Sequence, residues 1–144
     1  MDRKDWMLLL IAEAGEQGLS PVQLQKGLFL LGQEHSKWTG DDYYSFEPYN
    51  YGPFDRSVYL DADELEEASL IEAKRSPGRH WPTYAPTAKG FSNAKDLATE
   101  TPPEAAAWID DTIAWMRRYG FSGLVRAIYE KYPDYKVNSV FQTA

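Results

Sequence analysis

Residues 70–85 read LIEAKRSPGRHWPTYA, and their punctuation decides the fold. Leu70 to Arg75 and Trp81 to Ala85 have the make-up of two short strands, and Ser76-Pro77-Gly78-Arg79 between them is a tight-turn sequence. Upstream, Asp55 to Ala68 repeats apolar residues at helical spacing, with Val58, Ala62 and Leu65 inward. Further back, Ser20-Pro21-Val22-Gln23 is a helix start: Ser20 can cap, Pro21 fits the first helical position and Gln23 completes a capping box. Leu24, Leu28 and Leu31 then share one stripe to about Glu34. The first helix, Asp5 to Ala14, is apolar around much of its circumference and should be largely buried, with Gly15 and Gly18 as its stop. Three helices followed by a two-stranded hairpin is the order of a winged helix.

Downstream, Pro86-Thr87 begins a short helix that Gly90 weakens. Thr101-Pro102-Pro103-Glu104 repeats the cap logic and opens a helix to about Tyr119, with Trp108, Ile109, Thr112 and Met116 inward. Gly120 ends it. Ser122 is expected to cap a last helix whose stripe is Phe121, Leu124, Val125, Ile128 and Tyr132, stopped by Pro133. The expectation is one domain over residues 1–144, mostly helical α+β. Residues 1–92 form a winged-helix-like core of three helices plus a β-hairpin, and residues 101–144 add a C-terminal helical pair.

Composition narrows the function classes. The 144 residues carry a net charge of -7, so phosphate backbones are repelled unless a local basic patch opposes that field. There is no cysteine, which removes disulfides, thiol nucleophiles and zinc-thiolate sites together. Met1-Asp2-Arg3-Lys4-Asp5 places acids where a signal peptide would be basic, and no apolar run approaches the roughly 18–20 residues of a membrane span. A cytoplasmic location and no membrane partner are expected.

Residues 43–54 are the other informative stretch, YYSFEPYNYGPF, with Tyr43, Tyr44, Phe46, Tyr49, Tyr51 and Phe54, and Tyr59 just beyond. Gly40, Pro48, Gly52 and Pro53 rule out a continued helix, and only Tyr43 to Glu47 looks strand-like. An aromatic loop broken by Pro and Gly either plugs a core or recognises a partner, with Tyr49 or Tyr51 outward in the second case.

Three segments carry a family resemblance: SPVQLQKGLFLL, YYSFEPYNYGPFDRSVYLDADELEEASLI and YAPTAKG. Together they resemble the phage-associated proteins that include the Panacea antitoxin domain of the SocA type. The shared pattern is a Lys-containing second helix (Leu24-Gln25-Lys26), a Tyr-Gly-Pro turn (Tyr51-Gly52-Pro53), a helix ending over Leu65 to Ile71, and a Thr-x-x-Gly turn (Thr87-Ala88-Lys89-Gly90). The resemblance spans roughly residues 6–92, and less of the stretch IYEKYPDYKVNS. It departs at Ala68-Ser69, where a helix-ending glycine would be expected, and the usual tail of the domain is not clearly present. It implies a protein that neutralises or adapts a partner, such as a toxin or a phage-related protein.

The resulting expectation is a non-enzymatic protein-interaction module, an antitoxin or phage-related immunity factor acting by stoichiometric binding. Tyr49, Tyr51, Phe54 and Arg56 would contact the partner, with the acidic helix steering it. The alternative is a winged-helix DNA-binding transcriptional regulator touching phosphate through Lys74, Arg75 and Arg79 beside His80. Residues 55–68 weigh against it, because Asp55, Asp61, Asp63, Glu64, Glu66 and Glu67 oppose only Arg56, a net of -5. The connection between the second and third helices, about twenty residues, is also far longer than a helix-turn-helix turn. DADELEE lacks the glycine and spacing of an EF-hand, so no metal is expected. His35 and His80 are the only histidines, and HExxH, GxSxG and Walker loops are missing, so neither catalysis nor a cofactor is expected. Tyr129, Tyr132 and Tyr135 at helical spacing read as core. Val137, Val140 and Phe141 would dock the tail on this chain or on a second subunit, which leaves a homodimer open.

Overall fold

The first helix, α1 (Arg3–Ala14), is the axle of the structure, because its sequence offers apolar residues on every side. Trp6 to Ala12 and Ala14 are all buried in this computed structural model, which describes residues 1–136. Asp2 caps α1: its carboxylate accepts from Asp5 N, and the Asp5 carboxylate accepts from Asp2 N. That reciprocal box starts the helix two residues earlier than the apolar pattern indicates.

The second helix, α2 (Pro21–Glu34), begins where its cap sequence places it, with Ser20 and Gln23 bonded reciprocally. A one-turn helix α3 (Ser36–Thr39) follows, then β1 (Glu47–Tyr49) and β2 (Gly52–Phe54), α4 (Ser57–Glu67), β3 (Ile71–Lys74) and β4 (Thr83–Pro86). Helices α5 (Ala88–Ala98), α6 (Ala105–Arg117) and α7 (Phe121–Lys131) complete the order, with 3-10 turns at Gly15–Gln17 and Pro133–Lys136. The fold is mostly helical α+β, with two antiparallel two-stranded sheets among the described residues. Three helices and the β3–β4 hairpin stand in the anticipated order, and Leu19 bridges Tyr84 to add an edge to that hairpin.

Helix α1 packs against α2, α4, α5, α6 and β4. Its hydrophobic cluster runs from Trp6 to Ile128 in sequence, so α6 and α7 share it with the first ninety residues. Arg117 strengthens that join by donating to the Ala14 and Gly18 carbonyls at 2.8 and 3.1 Å. Tyr132 and Tyr135 place their ring edges on Phe29, and Tyr129 is buried. The expected tail residues Val137, Val140 and Phe141 lie outside the described residues.

Several local expectations are corrected. Tyr43 to Glu47 forms no strand over most of its length: Tyr43, Tyr44 and Phe46 are drawn inward while Ser45 and Glu47 stay exposed. The Tyr43 hydroxyl donates to Leu28 O, and the Tyr44 hydroxyl donates to the Asp61 carboxylate. The pairing instead joins Glu47, Pro48 and Tyr49 to Phe54, Pro53 and Gly52. Helix α4 starts at Ser57 rather than Asp55, since the Asp55 carboxylate accepts from Ser45 N and Ser57 N and its main chain is bound elsewhere. Thr101 does not cap α6, because its hydroxyl turns back to Ala98 O. Ser122 does not cap α7 either: the helix starts at Phe121, whose ring stays half exposed instead of joining the core stripe.

Helix α5 runs 11 residues, and Gly90 allows it to sit where it does. A Cβ there would drive into the Leu70 carbonyl oxygen, so only glycine permits the approach. Leu70 itself belongs to the turn that ends α4. Leu70 N donates to Leu65 O and Ser69 N to Glu66 O, the double bond of a Schellman motif. Such a motif needs a left-handed residue at its centre, and Ser69 supplies it with φ 63. Thr87 then caps α5 through Gly90 N and donates its hydroxyl to Ser69 O at 2.6 Å, locking the two helix ends together.

Candidate functional site

The β1–β2 hairpin carries the aromatic segment, and α2 holds the hairpin in place. Gln25 and Lys26 are buried polar residues on an otherwise apolar helix face. The Gln25 amide donates to Asp55 O and accepts from Asp55 N, using both its ends. The Lys26 ammonium donates to Pro53 O at 3.0 Å. The Leu-Gln-Lys and Tyr-Gly-Pro elements are therefore one contact, as the Ser69 and Thr87 elements are another.

Gly52 has φ +97, a conformation that favours glycine, and a Cβ added there would stand 3.2 Å from Lys26 Cε and 3.4 Å from Nζ. Lys26 as a whole is 3% exposed, and burial pushes its amine down from the ordinary lysine value to about 7.

Beside this tether opens a cleft of about 600 Å³. Its walls come from the start of α2 (Ser20 to Gln23), the hairpin, Tyr59 of α4, Trp81 and the α6–α7 junction at Tyr119 to Phe121. Large apolar side chains dominate its mouth: Tyr49 is 51% exposed, Tyr51 47%, Trp81 49% and Phe121 49%. Three of these rings pack on other rings. Tyr51 and Phe121 meet edge to face at 5.3 Å, and Tyr49 stacks on Phe54 at 4.9 Å. Together they make an exposed aromatic patch at the rim of the cleft. The cleft volume falls within the range of ligand pockets, roughly 300–1,000 Å³. Among the described residues, Lys26 is the one ionisable group in its lining besides the tyrosines, and no Asp, Glu or His lines it.

The structure brings together three of the four expected contact residues: Tyr49, Tyr51 and Phe54 line the cleft. Arg56 is exposed at the N-terminus of α4 and does not. Lys74, Arg75 and Arg79 lie on the β3–β4 hairpin, outside the cleft lining. Two of them are engaged locally: Lys74 with Glu16 O and Glu72, and Arg79 with the Thr83 hydroxyl. The acidic helix is also less free than its composition suggests. Asp61 is buried and pairs with Arg3 at 2.9 Å, Glu64 pairs with Lys4, and Glu66 accepts from Ala73 N. Burial and the bond to Asp61 push the Tyr44 hydroxyl well above its usual range, so this group stays a donor. With Asp55, which holds Ser45 N and Ser57 N, four of the six acids counted as a steering surface thus help to hold α4 in the fold.

Sequence reasoning missed Trp81, Tyr119, Phe121 and Lys26 as site residues. The aromatic three come from segments distant in sequence, with no pattern linking them. For Lys26 a signal existed: it is the lone cation among residues that turn out to be buried, and it sits inside the resemblance motif.

Among the described residues no cluster of three or more His, Asp or Glu could hold a metal ion, and no helix is long and apolar enough to cross a membrane. No model of a known protein family matches the chain, and no curated protein matches its sequence.

Proposed function

We propose that this chain is a stoichiometric protein-binding module whose aromatic cleft takes an apolar segment of a partner. One observation carries the reading: an ordered, mostly apolar cleft with Tyr49, Tyr51, Trp81 and Phe121 half exposed around its mouth, on a chain of net charge -7. Rings of this kind supply large contact area at little conformational cost, which is how interface hot spots are built. Binding rather than turnover is supported by the lining, which offers an amine without a carboxylate or imidazole to act with it. The resemblance to antitoxin-type proteins agrees with this reading, and makes a toxin or phage-related protein the natural partner.

The test is affinity capture from the source lysate, with nuclease added, followed by titration of the captured protein with the purified chain. Tyr49→Ala combined with Tyr51→Ala should weaken that affinity at least tenfold while circular dichroism stays unchanged. Unchanged affinity would refute the reading. Material lost entirely on nuclease treatment, and not captured at all once Lys74, Arg75 and Arg79 are neutralised, would favour the DNA-binding alternative.

A further inference from the structure

Lys26 does more than a tether requires. Its neighbour Gln25 fastens the same hairpin with a neutral side chain whose donor and acceptor are both satisfied. An ammonium has three donors. Among the described residues Lys26 Nζ has one partner, the neutral Pro53 carbonyl, and forms no ion pair. Burying a charge so poorly matched is costly, and the depressed amine, at about 7, registers that cost.

The space beside the amine is kept open. Gly52 withholds the one Cβ that would sit 3.4 Å from Nζ, and Lys26 forms part of the cleft wall. Apolar side chains make up much of the wall, Val22, Phe54, Phe121 and Leu124 among them, and Gln25, the polar neighbour of Lys26, is already bonded at both ends to Asp55. A negative group placed against Lys26 would feel a strong, weakly screened field. It must arrive on an apolar body. A carboxylate in mid-chain would drag two flanking runs of unpaired peptide groups into that apolar lining. A chain end brings one.

We propose that the cleft captures a free C-terminus of its partner, the α-carboxylate pairing with Lys26 Nζ while the last apolar side chains pack among Tyr49, Tyr51, Trp81 and Phe121. This rests on the reading of the cleft as the partner-binding surface and names the chemistry it recognises. The empty site holds Lys26 largely neutral above pH 7, and pairing restores the proton. Binding therefore takes up a proton at higher pH and none well below neutrality.

The experiment is calorimetric titration with an N-acetylated tetrapeptide of leucine and phenylalanine, as the free acid and as its C-terminal amide. Each is run near pH 6 and near pH 8, in two buffers of different ionisation heat. The acid should bind at least tenfold tighter than the amide. Near pH 8 it should take up about one proton per peptide, the expectation for a group titrating near 7. Lys26→Met should abolish both the preference and the uptake. Lys26→Arg should keep the preference without the uptake, because arginine stays charged.

Equal binding of acid and amide would overturn the proposal, as would binding of neither. In both cases the cleft itself is judged separately, by the Tyr49 and Tyr51 substitutions on the captured partner. Hydrocinnamate binding as tightly as the peptide acid would also overturn it, and would assign the cleft to a small carboxylic acid.

Discussion

Lys26 makes the pH dependence of stability a direct probe of the site. In the folded chain burial lowers its amine from 10.5 to about 7, while in the unfolded chain it returns to the solvated value. Between those limits the unfolded state binds the extra proton, so stability rises with pH. The cost of burying the amine is fully present below about pH 7 and is relieved progressively toward about pH 10.5. Its upper bound is on the order of 5 kcal/mol, since each tenfold loss of proton affinity corresponds to about 1.4 kcal/mol. Lys26→Met keeps the buried stem and removes the titration. The variant's advantage over the parent should therefore shrink by about 2 kcal/mol between pH 7 and pH 9, the slope rising from about 0.7 kcal/mol for each step of one in pH at pH 7 toward about 1.4 above it. Urea unfolding followed by tryptophan fluorescence measures this, and taking the difference between two proteins cancels other titrating groups. A gap constant to within about 0.5 kcal/mol over that window would refute the argument, because the amine would then be as well solvated in the folded chain as out of it.

Three further outcomes follow from the fold. Ser69→Gly relieves the left-handed residue that ends α4, so it should stabilise by about 0.5–1 kcal/mol in chemical denaturation; a loss would mean that its conformation is unstrained. Gly90→Ala forces a Cβ onto the Leu70 carbonyl, part of a backbone that cannot yield, and should cost about 2–3 kcal/mol by the same assay, with no effect contradicting the close approach. Asp61→Asn leaves Arg3 and the Tyr44 hydroxyl facing a neutral acceptor, so unfolding at pH 7 should lose about 2 kcal/mol, and a neutral result would make the pair ornamental.

How far the sequence could be read varies with the physics of each element. Helix α2 was legible because Ser20, Pro21 and Gln23 act within one turn, where local chemistry suffices. The β3–β4 hairpin was legible in outline, but its strands close at Lys74 and Thr83, so the connection is the eight residues 75–82 rather than a tight turn at 76–79, and Trp81 lies in that loop and not in the strand. The β1–β2 hairpin was not: it is three residues a side with Pro48 facing Pro53, and proline at paired positions reads as a loop. It exists because Gln25 and Lys26, far back in the chain, hold it from below. Phe121 misled through periodicity alone. Its spacing with Leu124 and Val125 suits a buried stripe, yet it is the first residue of α7 and projects past the core into the cleft. The motif residues behave differently again. Their spacing in sequence meant little until Lys26 met Pro53 and Thr87 met Ser69, two long-range contacts that no local rule generates.

The retained charge at position 26 is what separates recognition from tethering. Reach explains a long side chain there, and the bond to Pro53 O explains a donor, but neither explains an ammonium kept under cover at a loss of stability. Proteins keep such residues where function opposes stability, so the two effects should part company in one substitution. Lys26→Met should be at least as stable as the parent below about pH 7 and yet lose its preference for a free carboxylate over the amide. Stability is read from the unfolding midpoint and the preference from paired titrations on the same preparation. A variant losing both stability and binding would return Lys26 to the role of a hairpin tether. A variant gaining stability and losing only the acid preference would show that the charge serves the cleft.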